Sequence, residues 1–331
     1  STPVLAEVVR DLYSAEVEVP DQGATALASG ASKALAVVLV KASGSDKVLQ
    51  EPSLRAELKD ARAHVQNYAY RKGRGGDQGL WARYEFEGAY ITGLIRDSGA
   101  LLWTANRPEV LVWGVIEAQG SRQFVSADGD PDAVASLSRA FSSRGLPLKL
   151  PVFDLNDTAS LSPDQLWRLD SRALRDASIR YNVQHVVGVR VAQLGEDQFV
   201  GDWLYISEED RRERRSTAQS LDELFRDGVA LVADDMASRY AVAPVASDGQ
   251  GVRMMVRGIR AYADYAGVVS SLEKLELIEA ANVEYVADDV IVLRLFAQAD
   301  AFQLAPLIEL NRRLQPVPSS DPAMQLSYQW Q

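Results

Sequence analysis

The residues with the most chemical potential in this 331-residue chain are its carboxylate pairs, because a glycosidase needs two carboxyl groups facing one bond. Asp154 and Asp157 lie at the carboxyl end of the run Leu148–Leu155, which reads as a strand, and open α/β sheets bind ligands at strand carboxyl ends. Asp154 is therefore the first candidate. Glu196-Asp197 and Asp288-Asp289 read as turns and Asp234-Asp235 as helix surface, since Asp favours turns. The only two histidines, His64 and His185, stand far apart with no Gly-x-Ser-x-Gly elbow, so a hydrolase triad is not expected and both read as structural. With no cysteine there is no thiolate chemistry, no disulfide and no sulfur-rich metal site, and no catalytic residue, cofactor or metal is expected.

Arg71 to Gly79 is a Gly-rich basic connection whose Arg71 and Arg74 are the second candidate binding residues. It lacks the spacing of a phosphate-binding P-loop and lies between two strands, so a hairpin tip is the expectation. Glu208 to Arg215 mixes signs and reads as a solvated loop, with a salt-sensitive docking patch as the alternative. Trp103, Trp113 and Trp203 could line a sugar-binding face, but Trp113 and Trp203 lie inside expected strands and read as core.

The elements that must position these residues form an α+β chain of three small α/β modules. An amino-terminal α+β module spans residues 1–106, with the alternating strand Leu12 to Val19, a helix over Ala24 to Ala42 and a second from Pro52 to Ala61. The strands Val65 to Tyr70 and Leu80 to Glu87 and a helix from Gly88 to Ser98 complete it.

The central α/β domain, residues 107–243, expects a mixed sheet with helices packed on it. Its strands are Val110–Ile116, Leu148–Leu155, His185–Val191 and Phe199–Ile206. Asp130-Pro131 caps one helix. Ser162-Pro163-Asp164-Gln165 opens another that carries Leu166, Leu169, Ala173, Ala177 and Tyr181, and Ser220 opens a third. Residues 252–315 read as a β-α-β-β-α module, with Pro306 kinking or delaying its last helix. In the tail, 316–331, Leu326 to Trp330 is expected as an edge strand.

The net charge of −11 disfavours nucleic acid, and no apolar run of 18 residues exists, so a membrane-spanning segment is not expected. The chain begins at Ser1 without methionine, which fits removal of an upstream segment, either a secretory signal or a trimmed tag.

Several stretches together carry a resemblance: Asp11-Leu-Tyr-Ser-Ala-Glu-Val-Glu-Val-Pro-Asp-Gln22, Ala36-Val-Val-Leu-Val-Lys-Ala-Ser-Gly44, Asn106-Arg-Pro-Glu-Val-Leu-Val-Trp113, Arg144-Gly-Leu-Pro-Leu148 and Val152-Phe-Asp-Leu155. They resemble the domain-of-unknown-function family number two thousand and sixty-six, secreted proteobacterial envelope proteins, over about Leu12 to Leu314. The resemblance implies a removed signal peptide and residence in the periplasm or envelope, and it brings no activity. The central unit is similar, by fold analogy, to the amino-terminal domain of TolB and to the curli-secretion lipoprotein CsgG, which implies assembly or protein contact. A periplasmic protein that acts by binding envelope protein partners is therefore the first expectation. Binding or hydrolysis of glycan or peptidoglycan fragments near Asp154 is the second.

Overall fold

Ser14–Val19 buries Ala15, Val17 and Val19 and exposes Glu16 and Glu18, as a strand with one wet face must. In the computed structural model, which describes residues 7–73, 78–208, 210–245 and 249–331, this strand is β2. It follows the two-residue β1 (Glu7–Val8) and precedes α1 (Ala24–Ser43), α2 (Pro52–Lys59), β3 (Val65–Lys72), β4 (Leu80–Phe86) and α3 (Gly88–Ser98). The three longer strands form an antiparallel sheet in the order β2-β4-β3.

The stripe Ala31, Ala34, Leu35, Val38, Leu39 and Ala42 of α1 is fully buried. By length and mean hydropathy (1.4) α1 matches a membrane-crossing helix; in this fold that stripe is core. The helix stops at Gly44, whose φ of +79° suits glycine. A Cβ there would also sit 2.5 Å from the Ala237 Cβ, so the close approach itself requires glycine.

The central domain runs β5 (Asn106–Arg107), β6 (Val110–Ala118), β7 (Ser121–Phe124), α4 (Pro131–Ser143), β8 (Leu148–Lys149), α5 (Leu155–Ser160), α6 (Pro163–Trp167) and α7 (Ser171–Ser178). It continues through β9 (His185–Gly195), β10 (Gln198–Ile206), β11 (Arg211–Ala218) and α8 (Leu221–Tyr240). Among the described residues the strand order is β11-β10-β9-β6-β7, with β8 also on β6. The β6–β9 and β6–β8 pairs are parallel and the others antiparallel, which makes the sheet mixed.

Every residue of β6 from Val110 to Ile116 is buried because helices cover both faces. Val110, Val112 and Ile116 face α4 and α8, while Leu111, Trp113 and Val115 face α6 and α7. Trp103, Trp113 and Trp203 are all core, so Trp103 offers no sugar-binding surface.

Three expectations are corrected here. The strand expected over Leu148–Leu155 shrinks to Leu148–Lys149, because Pro151 has no N–H to give a ladder and Phe153 takes a positive φ of 57°. The helix expected from Ser162 to Tyr181 breaks at Leu169, whose φ is +49°, into α6 and α7. Glu208 to Arg215 does not form a loop throughout: Arg211–Ala218 pairs with β10 along its whole length.

The last module runs β12 (Val252–Arg257), α9 (Tyr262–Glu273), β13 (Ile278–Ala287), β14 (Val290–Ala297), α10 (Ala301–Glu309), β15 (Leu314–Pro316) and β16 (Leu326–Trp330). Its sheet order is β13-β14-β12-β16-β15, so the β12-α9-β13 crossover leaves a gap that β14 fills, a split βαβ arrangement. β16 lies parallel to β12 and antiparallel to β15, inside the sheet, where an edge position was expected. Pro306 sits within α10, which nevertheless starts at Ala301 under an Asp300 capping box. One continuous cluster of buried apolar side chains runs through both outer modules, from Ala15 to Leu102 and from Val252 to Trp330.

Candidate functional site

Asp154 is the N-cap of α5 and not a strand end: its Oδ1 accepts the Asp157 N–H at 2.9 Å. The Arg180 guanidinium reaches both Asp154 oxygens, at 2.7 and 2.9 Å, and the buried Asp157 Oδ1 at 3.0 Å. The other Asp157 oxygen accepts the Phe153 N–H at 2.9 Å and the Tyr181 hydroxyl, which in turn accepts the Val152 N–H at 2.8 Å. This network replaces the ladder bonds that residues 152–154 would have had as a strand. Hydrogen bonding from Arg180 holds the Asp154 carboxyl at about 2, below its ordinary 3.8, and burial pushes the Tyr181 hydroxyl up to about 12.

Asp154 and Asp157 lie together in the structure, and both turn onto one guanidinium. Two carboxylates sharing an arginine brace a loop; they do not flank an open bond. Around them stand three apolar side chains facing solvent: Val152 (70% exposed), Leu155 (87%) and Ile179 (74%). Leu155 adjoins Asp154 and Ile179 adjoins Arg180 in the chain, so each partner of the ion pair has an exposed apolar neighbour. Arg312 of the last module donates to the neighbouring Asn182 at 2.9 Å.

Arg71 lies on β3, where its Nη2 donates to Glu16 at 2.8 Å across the intervening β4 and its guanidinium lies 5.2 Å from the Trp81 ring. Arg74 lies outside the described residues. His64 stacks on Tyr90 at 4.3 Å, and buried His185 meets the Tyr205 hydroxyl at 2.8 Å, so both histidines have structural surroundings. Glu196-Asp197 and Asp288-Asp289 form the β9–β10 and β13–β14 turns. Asp235 on α8 is a buried ion-pair partner of Arg212 and Arg239.

Sequence reasoning missed the charges buried between the first and central modules. Arg107, fully buried, gives its five N–H bonds to the carbonyls of Lys41, Trp103, Thr104, Arg144 and Gly145, at 2.6 to 3.1 Å. Burial lowers it to about 9, so it stays cationic at neutral pH. Lys41 donates from Nζ to the Asp11 and Ser14 carbonyls at 2.5 and 2.7 Å, and burial pushes it down to about 8. Two adjoining clefts of about 350 and 450 Å³ share Lys41 and Ser142 in their walls. The signal for Lys41 was present: it follows Val38 by three residues, on the buried stripe of α1.

Residues 6–104 match a family described as Domain of unknown function (DUF8605). The DUF8605 match takes in Lys41 and Arg71 and stops before Arg107, so the Asp154 network lies wholly beyond it. No curated protein matches the chain. Among solved structures it is similar to protein VC0702 from Vibrio cholerae, at 18% identity over 40% of this chain and 73% of that one, with a TM-score of 0.20. It is also similar to a formyltetrahydrofolate deformylase from Pseudomonas putida KT2440, at 11% identity over 58% and 88% of the two chains, with a TM-score of 0.16. Likenesses of that size carry no argument about activity.

Proposed function

We propose that this chain is a non-enzymatic protein of the bacterial cell envelope, an assembly or accessory factor that works by binding a protein partner. The observation that carries the reading is the exposure of Val152, Leu155 and Ile179, three large apolar side chains on the segments that the Asp154–Arg180 pair ties together. Large apolar side chains on a rigid base with a charged element beside them have the anatomy of a contact site. The base is rigid because Asp154, Asp157, Arg180 and Tyr181 are locked together, so little order remains to be lost on binding. The envelope location rests on the resemblance to secreted proteobacterial proteins.

Cross-linking in envelope extract, comparing the native chain with a Leu155→Asp, Ile179→Asp double variant, tests the reading. One partner enriched by the native chain should disappear with the variant, while the melting temperature stays the same. The same set of cross-linked proteins with both chains would dismiss the patch as a contact site.

A further inference from the structure

We infer that the outer edge of the central sheet takes up an acidic, extended segment of a partner polypeptide, which joins β11 as an added strand. Among the described residues β11 ends the strand order, so one side of its backbone has no neighbouring strand. The Ser207 N–H bonds the Asp210 carbonyl at 2.9 Å. Alternation from that pair turns the N–H and C=O of Arg211, Glu213 and Arg215 away from β10, toward the free edge; the Arg211 N–H is already taken by Asp210 Oδ1 at 2.8 Å, so an added strand would use the Arg211 carbonyl and both groups of Glu213 and Arg215.

The side chains of the same three residues share a face with Ile206, Leu204 and Asp202, their partners in register, and Leu204 and Ile206 belong to the core under α6 and α7. There they border a cleft of about 420 Å³ that also holds Arg168, from the end of α6, and Arg190, from β9. Asp202 is taken by Arg190 at 2.9 Å and Arg215 at 2.6 Å, and Glu213 by Arg211. Arg168 is exposed and makes no ion pair among the described residues. Five arginines and two carboxylates thus line the cleft, in a chain whose net charge is −11; Arg168, Arg190, Arg211 and Arg215 lie toward its outer face, and Arg214 is held by α8.

Arg214, by contrast, donates to the Asp227 carbonyl of α8, and Arg212 pairs with Asp210 and Asp235, so the basic residues of the opposite face are engaged. An incoming strand with acidic side chains at every second position would bond the free edge and lay its carboxylates along the arginine row. Charged edges also serve to repel strands, but arginines repel basic strands and admit acidic ones. This deepens the binding role proposed above and rests on it only in that the partner is a polypeptide; the surface is a separate one.

Fluorescence anisotropy with a labelled peptide of about ten residues, alternating Glu and Val, tests it on the whole chain. Saturable binding is expected, weakened at least about tenfold between roughly 50 and 300 mM salt. Arg168→Ala, at an exposed position without an ion pair, should weaken it by a factor of about five or more at an unchanged melting temperature. The same peptide N-methylated along one edge should bind at least about tenfold more weakly, since it cannot form the ladder.

No binding of the Glu-Val peptide, or equal affinity for a Lys-Val analogue, overturns the inference. Equal affinity of the N-methylated peptide, or full competition by millimolar pyrophosphate, also overturns it, by reducing the cleft to a simple anion site. The Leu155→Asp, Ile179→Asp variant should still bind the peptide. If the peptide fails while the patch still captures its partner, only this inference falls; if the patch fails while the peptide binds, only the earlier reading falls.

Discussion

Arg107 donates to the Lys41 carbonyl across 2.6 Å, joining the approach to the central sheet to the last turn of α1. The same guanidinium lies 3.8 Å from the Trp103 ring and closes the loop after α4 through the Arg144 and Gly145 carbonyls. One side chain therefore ties three segments, and it does so with every N–H used. Replacing Arg107 with Ala is expected to cost about 3–5 kcal/mol, because several buried carbonyls lose their donor at once. Urea denaturation measures it, and a loss below about 1 kcal/mol would show that water replaces the guanidinium without penalty.

Asp154→Asn keeps a capping side chain but removes the charge that Arg180 grips. Because the folded carboxyl titrates near 2 and its ordinary value is 3.8, its contribution to stability is full above that ordinary value and is lost as pH falls toward 2. Native and variant chains should therefore differ in melting temperature at pH 5 to 7 and converge near pH 2. Curves that stay parallel down to that pH would mean the ion pair does not stabilise the fold.

His185 has the same sign of dependence for a different reason. Burial holds its imidazole at about 4 against an ordinary 6.5, and its Nε2 is buried without a hydrogen-bond partner. Below pH 6.5 the unfolded chain takes up a proton that the folded chain refuses, so stability is lost as pH falls toward 4, by on the order of 2–3 kcal/mol. NMR titration of the ring should give the depressed value, and His185→Phe should flatten the stability profile between pH 6.5 and 4. A ring that titrates near 6.5 in the folded chain would contradict this account.

Gly228 on α8 lets Trp203 of β10 pack directly on the helix backbone: a Cβ there would lie 1.8 Å from the indole Cε2. Gly228→Ala gains helix propensity but must displace a buried indole, so a net loss of about 2–4 kcal/mol is expected. Calorimetry reads the shift in melting temperature, and an unchanged value would show that the indole moves aside freely.

Local chemistry in the sequence specified most of the elements. Asp130-Pro131, Ser162-Pro163 and Ser220 start helices where expected, because a cap is satisfied by residues two or three positions away. The misses are long-range. Glu208–Arg215 looks like a solvated run, yet β10 supplies a ladder to Arg211–Ala218, and the polar composition carries no trace of that partner. Leu148–Leu155 has the apolar content of a strand, yet Val152 and Leu155 spend it on the surface. For the candidate site, the positions of Asp154 and Asp157 were legible, but their roles were not. Arg180 and Tyr181, more than twenty residues away, decide what the carboxylates do.

The insertion of β16 between β12 and β15 sets an order of events. Synthesis delivers residues 326–330 after all the strands they will join, so the final sheet must wait with β12 and β15 apart. Until those five residues arrive, Met254 and Val256 lack the neighbour that β16 supplies, and Leu314 lacks Trp330 opposite it. The same apolar cluster extends into the amino-terminal module, so that module and residues 326–330 share one core. A chain cut before residue 326 is therefore expected to leave β12 and β15 unpaired on their facing edges, however complete its central sheet.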